Sequence, residues 1–307
     1  MQLFSSYLRT RKTPRPERRG NRFHCNASGM ITYAVVGRNV ACTLEIALCQ
    51  ALAAAEAGDS VVFVDSASVD TSATIARRLG VQVLRAPAGK GRAVAALLDR
   101  HDGGPLCLLD ADVERSGCNI AVALRNASNA SDADMVIARY DWPARDELSV
   151  THSVHARLVG ALFPEHAAQL SPKPLSGFRL LNTQLPLGRL PSGYGLEAHL
   201  NVQISALGGE IAWVDIGVYE GPVVRRGAEF AHEIGAAILD VAELHGRLAP
   251  EIRPAWEEWI ATVADVFGSV PRGEPDLSPY RERLRAVAAR ALPVRKQALE
   301  PDQQALA

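Results

Sequence analysis

The sequence predicts an α/β fold: a mostly parallel sheet flanked by helices, Rossmann-like in its alternation, with a helical appendage at the C-terminal end. Three observations carry that expectation. Short runs rich in β-branched residues alternate with Ala/Leu-rich runs through the first 140 residues. The strand runs are apolar throughout, as strands covered on both faces are. Polar motifs recur just beyond the strands, where the carboxyl ends of such a sheet bind ligands.

Each element has its own signal. Residues 31–36 predict a first buried strand, and 42–57, free of Gly and Pro, a helix ended by Gly58. Residues 60–64 predict a second strand, 68–79 a helix stopped by Gly80, and 81–84 a third strand. A helix over 92–100, a strand over 105–109 ending in Asp110, and a strand over 133–138 follow. Beyond them the pattern loosens. Residues 147–162 predict a helix stopped near Pro164, 175–181 a strand, 194–207 a helix and 211–218 a strand. Runs at 228–248, 255–267 and 279–292 predict helices, the last two packed as an appendage that offers a homodimer surface. The organisation expected is a tail over 1–29, a regular first half over 30–140, a less regular second half over 141–250, and C-terminal helices and tail over 251–307.

Composition removes several classes. The 307 residues are 48% hydrophobic, enough for a large core. Lys+Arg is 33 against Asp+Glu 34, a net charge of −1, which disfavours a nucleic-acid partner. No apolar run approaches the roughly 18 residues of a membrane span. Five cysteines (25, 42, 49, 107 and 118) include no CxxC pair, and the eight histidines no HExxH. A reducing, cytoplasmic compartment fits better than a disulfide scaffold. The tail carries Arg9, Arg11, Lys12, Arg15, Arg18, Arg19 and Arg22 against Glu17, with no apolar core of a signal peptide, and Met30 stands directly before the first strand.

The phosphate motifs narrow the chemistry. Val36-Gly37-Arg38-Asn39-Val40 after the first strand is no GxGxxG, and Gly89-Lys90-Gly91 lacks the Ser/Thr of a P-loop. Asp110-Ala111-Asp112 sets two carboxylates just past a buried strand, hard oxygen donors suited to Mg²⁺ or Mn²⁺ shared with a diphosphate. Asp65 at a strand end can accept from a nucleobase N–H; Ser68 or Asp70 can cap the next helix. Lys90 can neutralise a diphosphate or be a surface lysine in a turn. Glu197 lies at a helix start, where the dipole favours an acid with or without a ligand. His152, His155 and His199 read as structural histidines, and Trp142 and Trp213 as packing residues, Trp142 also a candidate lining of an acceptor cleft.

As an ordered set, these residues resemble retaining nucleotide-sugar glycosyltransferases of the GT-A fold, in particular the glucosyl-3-phosphoglycerate synthases and their mannosylglycerate-making relatives. The matching segments are Asp65-Ser66-Ala67-Ser68-Val69-Asp70, Gly89-Lys90-Gly91-Arg92-Ala93, Asp110-Ala111-Asp112, Val150-Thr151, Pro174-Leu175-Ser176-Gly177, Gly193-Tyr194-Gly195-Leu196-Glu197 and Ile216-Gly217-Val218, spread over roughly 31–245. The resemblance implies a UDP- or GDP-sugar donor held by Gly37, Arg38, Asn39, Asp65, Ser66, Lys90, Asp110, Ala111, Gly177, Tyr194 and Glu197. It implies a nucleotide-sugar-binding half over 30–140 and an acceptor-binding half over 141–250, with Glu197 and Asp112 at the reacting centre, a small hydroxyl-bearing acceptor near Val150, Thr151 and Trp142, and a metal on Asp112.

The departures matter too. The family's acid after P-L-x-G is Phe178, the basic residue after L-G-V is Tyr219, and the Arg before V-T is Ser149. With the metal-binding His of that family missing, Glu220 is the nearest replacement and His232 a more distant one. Two cationic contacts to an anionic acceptor are thereby lost, so the expected acceptor is not 3-phosphoglycerate. A sugar-phosphate nucleotidyltransferase fits less well, because Gly37-Arg38 is a poor version of its Gly-rich loop; a degenerate nucleotide-sugar-binding domain is the non-catalytic alternative.

Overall fold

The computed structural model describes residues 29–141, 149–167, 173–222, 227–271, 274, 276–290 and 292–293. The basic tail, Trp142, Arg225-Arg226 and the C-terminal end from 294 lie outside the described residues. Among the described residues eight strands form one sheet: β1 (Thr32–Gly37), β2 (Ser60–Ser66), β3 (Gln82–Ala86), β4 (Pro105–Asp110), β5 (Arg115–Ser116), β6 (Met135–Asp141), β7 (Arg179–Asn182) and β8 (Ile211–Glu220), in the order β3-β2-β1-β4-β7-β6-β8-β5. The helices are α1 (Leu44–Ala54), α2 (Ser72–Arg78), α3 (Lys90–Leu98), α4 (Ile120–Asn129), α5 (Ala156–Leu162), α6 (Leu196–Ala206), α7 (Ala228–Leu244), α8 (Arg253–Gly268) and α9 (Ser278–Ala288). A π-helical turn, Thr151–His155, leads into α5.

The apolar runs are buried on both faces. On β1, Tyr33 and Val35 pack with α1 and α4 residues such as Leu48 and Leu124. The alternate Ala34 and Val36 pack with Val94 and Leu97 of α3 and Leu200 and Ile204 of α6. A third apolar cluster joins the π-helical turn, α5, α6, α7, α8 and α9 around Trp256 and Trp259.

The sheet is mostly parallel, as expected, with antiparallel members: β7 runs against both β4 and β6, and β5 against β8. The β7 segment enters at the carboxyl end of β4 and returns across the sheet, a direction that periodicity does not encode. The strand expected over 175–181 is therefore short, with a turn over 174–178 before it. Helix α4, unassigned in the sequence reading, has a plain cap: Asn119 accepts from the Val122 N–H at 3.1 Å. Ser68 does not cap α2; its hydroxyl accepts from the Asn39 N–H at 2.9 Å, while Asp70 accepts from the Ser72 N–H at 3.0 Å.

Candidate active site

The β1–α1 and β2–α2 loops are stitched together at the carboxyl end of the sheet. Asn39 N–H donates to Ser68 and Val69 N–H to the Asn39 amide oxygen, Val40 N–H to Ser72, and Ala41 N–H to Asp70, all within 3.0 Å. Arg38 and Asn39 are exposed there. Gly37 sits so close to Ala111 that an added Cβ would lie 2.6 Å from the alanine Cβ. Asp65 is buried beneath these loops: its Oδ1 accepts from Ser68 N–H at 2.8 Å, and its Oδ2 lies 3.5 Å from Arg85 Nε. Ser66 ties this end of β2 to the next loop, accepting from Gly89 N–H at 3.0 Å.

The centre is an ion-pair cluster. Lys90, the first residue of α3, places its ammonium between Asp110 at the end of β4 and Glu197 in the first turn of α6, pairing with both carboxylates, at 2.5 Å for Glu197. Burial on its own would lower the lysine pKa, but the two neighbouring charges and their hydrogen bonds outweigh it and hold it above the ordinary value. Gly91 and Arg92 donate backbone N–H groups to the carbonyls of Gly193 and Ser192, locking the lysine loop to the segment that carries Tyr194 and Glu197. Gly177 lies directly against the Asp110 carboxylate; a Cβ there would overlap it. Tyr194 is partly exposed, its ring edge-on to Phe230 at 5.5 Å, and its N–H donates to Glu233.

Beside Asp112 the wall is aromatic. Tyr219 packs on Tyr140 and Phe178 with ring centroids 4.7 and 5.3 Å away. Its hydroxyl donates to the Asp112 carbonyl at 3.4 Å. Burial, then the charges of Asp112 and Asp110, push its phenol pKa up, so it stays protonated. Glu220, the next residue, faces Arg115 across the β5–β8 pair at 3.7 Å. His232 is exposed on α7. Val150 packs in the helical cluster, and Thr151 opens the π-helical turn, half-buried.

Among the described residues no three His, Cys, Asp or Glu side chains are arranged to hold a metal. Asp110 is engaged by Lys90 and Glu220 by Arg115. The donor set therefore fits a hard divalent ion only where a diphosphate and water complete the coordination around Asp112.

Sequence reasoning missed Arg179, a buried cation in β7 whose charge is felt by Glu197 and Asp110. A lone basic residue in an apolar run was its only mark. His155 and His199 are buried; His199 bonds the Leu187 carbonyl at 2.7 Å, whereas His155 Nε2 has no hydrogen-bond partner among the described residues.

The mixed sheet, its flanking helices and the polar cluster at the strand ends define an α/β fold of the GT-A type. Solved structures share it. Glucosyl-3-phosphoglycerate synthase from Mycobacterium tuberculosis, in complex with phosphoglyceric acid, matches with a TM-score of 0.60 at 24% identity over 71% of this chain and 82% of that one. The same enzyme with Mn²⁺, UDP-glucose and phosphoglyceric acid matches with a TM-score of 0.60 at 23% identity over 71% and 81%. Mannosyl-3-phosphoglycerate synthase from Rubrobacter xylanophilus matches with a TM-score of 0.61 at 23% identity over 72% and 76%. No protein-family model and no curated protein matches the chain. Among the described residues no helix is long and apolar enough to cross a membrane.

Proposed function

We propose that this protein is a glycosyltransferase that moves a sugar from a nucleotide-diphosphate donor, UDP-glucose being the first to test, to a small hydroxyl-bearing acceptor. The observation that carries the reading is the Asp110–Lys90–Glu197 cluster at the carboxyl ends of the strands, closed by Gly177. An anionic diphosphate entering beside Asp110 meets the Lys90 ammonium, which can exchange a carboxylate for a phosphate oxygen without leaving its place. Glu197, then less tightly paired, is free to bind the sugar near its reacting carbon. Asp112 with the diphosphate would hold Mg²⁺ or Mn²⁺, which when bound stabilises the leaving group as a Lewis acid. The fixed charges need little reorganisation as charge develops on the leaving diphosphate. Front-face attack with retention is the stereochemistry that the resemblance implies. Free thiols at Cys42, Cys49, Cys107 and Cys118 suit a reducing compartment.

The acceptor is proposed to be less charged than 3-phosphoglycerate. Ser149 and Tyr219 occupy the positions where the resembled enzymes carry cationic residues, and Tyr219 is committed to aromatic packing with Tyr140 and Phe178. Each charge-assisted contact to an anionic acceptor that is lost costs about 1.5–3 kcal/mol. The test is a thermal-shift panel of UDP-, GDP- and dTDP-sugars with and without Mg²⁺ or Mn²⁺, followed by mass detection of transfer to an acceptor panel. A metal-dependent shift plus a glycosylated product supports the reading. Binding without any product favours the non-catalytic domain, and saturable transfer to micromolar 3-phosphoglycerate overturns the acceptor proposal.

A further inference from the structure

A fully buried arginine stands in the one strand that runs against β4 and β6. Arg179 is 1% exposed, and the residues opposite it are Leu108 on β4 and Ile137 on β6. An apolar side chain would fill such a position at no electrostatic cost, whereas a cation must have its donors met. Here the whole guanidinium fork is used. Nε donates to the Ser176 carbonyl at 3.2 Å, and one terminal nitrogen to the same carbonyl and to that of Pro174 at 3.3 Å. The other terminal nitrogen donates to the Glu197 carbonyl at 3.4 Å and to Asn201 Oδ1 at 3.2 Å. Asn201 closes the circuit by donating to the Pro174 carbonyl at 2.7 Å.

These acceptors belong to two pieces of chain that both touch the reacting centre. The 174–178 turn lays Gly177 against Asp110, and the first turns of α6 carry Glu197. The carboxylates that the guanidinium charge feels are Glu197 and Asp110, the same two that Lys90 bridges. Two cations thus balance two anions, one cation partly exposed and one fully buried.

We propose that Arg179 is a positioning residue: it clamps the 174–178 turn to the start of α6 and so fixes the gap between Asp110 and Glu197 in which Lys90, and then the donor diphosphate, sits. This rests on the glycosyltransferase reading of the site. Arg is suited to the task because its planar fork reaches several carbonyls at once, which a lysine cannot do.

The test compares Arg179→Met, close in size and apolar, with Arg179→Lys, which keeps the charge and loses the fork. Amide hydrogen exchange is read over 174–182 and 195–201, alongside kcat and KM for UDP-glucose and the affinity for UDP. For folded Arg179→Met, exchange in both segments is expected to rise at least about tenfold above that of the other strands. The expected fall in kcat is roughly 10–100-fold, because misplacement of about an ångström costs that much. UDP affinity is expected to fall about three- to tenfold, because the same clamp sets the gap that holds the diphosphate, while exchange in the loops around Asp65, which Arg179 does not hold, stays unchanged. Arg179→Lys should fall between the two. Unchanged exchange in both segments overturns the proposal, as does a loss of kcat and UDP affinity together in step with the unfolded fraction. Should Arg179→Met not fold, Asn201→Ala keeps the charge and removes one acceptor; faster exchange over 174–178 supports the clamp and unchanged exchange overturns it. If the wild-type protein transfers no sugar at all, the glycosyltransferase reading fails while the exchange data still decide whether Arg179 clamps.

Discussion

Lys90 is the residue whose removal has the widest consequence. Lys90→Met leaves Asp110 and Glu197 facing each other with no cation between them. Breaking such a largely buried cluster from one side costs about 2–4 kcal/mol, and UDP-sugar binding should be lost as well. Chemical denaturation and calorimetric titration check the two parts. The sign of the linked pH effect follows from the raised lysine pKa. The stabilisation is complete below the unfolded value of 10.5 and disappears only as pH rises through the folded one. His155 works in the opposite sense. Burial first, then the Arg179 charge, lower its pKa from 6.5 to about 4. The unfolded chain therefore binds a proton that the folded one refuses between those values. Stability should be unaffected by this group above pH 6.5 and should fall by roughly 3 kcal/mol as pH drops to 4. Denaturation curves at pH 7 and pH 4 for wild type and His155→Gln measure it; an identical pH dependence in the two proteins counts against it.

Among the elements, the turn after β2 carries a local conflict. Ala67 has φ of 59°, a left-handed conformation that costs a side-chain-bearing residue about 1–2 kcal/mol. Its N–H donates to the Asp65 carbonyl at 2.9 Å, and the turn's polar side chains hold the β1–α1 loop in register, so the strain is retained by what surrounds it. Ala67→Gly should raise stability by about 0.5–1 kcal/mol with no loss of nucleotide binding, as melting curves with and without UDP will show. The 174–178 turn gives the contrary case. Gly177→Ala has nowhere to put its methyl group except the space held by the Asp110 carboxylate. It should displace Asp110 from Lys90 and lower donor affinity at least about tenfold, by the loss of a charge-assisted contact. An unaltered UDP-glucose affinity in that variant would refute the close approach.

At the scale of the whole molecule, the site is assembled from pieces far apart in the chain and held by separate apolar clusters. The sheet faces fix β1, β2, β4 and α3, while the cluster around Trp256 supports α7, whose Glu233 accepts from Tyr194 N–H. Trp256 is fully buried, and Trp256→Ala should cost about 3–5 kcal/mol, lowering the melting temperature by roughly 10 °C. The cluster reaches the site through α7, through Ala198 and Val202 of α6 and through Leu175 of the 174–178 turn, so UDP-sugar affinity measured well below that lower melting temperature is expected to fall as well. An unaltered affinity would mean that the sheet and its own helices hold the site without help from this cluster.

Much of this molecule was legible in the residues alone. The buried strands announced themselves because two-sided burial demands unbroken apolar runs, and the helices because Gly58 and Gly80 stop them. Lys90, Asp110 and Glu197 stood out as charged residues at strand and helix ends, Gly177 only through the family resemblance, and the fold brings those four together. The direction of β7 did not show, since a short apolar run reads the same both ways and only packing between β4 and β6 orients it. Nor did Arg179: the sequence places a cation in a core strand, but only the folded chain supplies the carbonyls that satisfy it. Local periodicity and end signals are properties of neighbouring residues and survive in the sequence. Which distant carbonyls, carboxylates and strands meet is decided by burial, whose free energy belongs to the assembled tertiary structure.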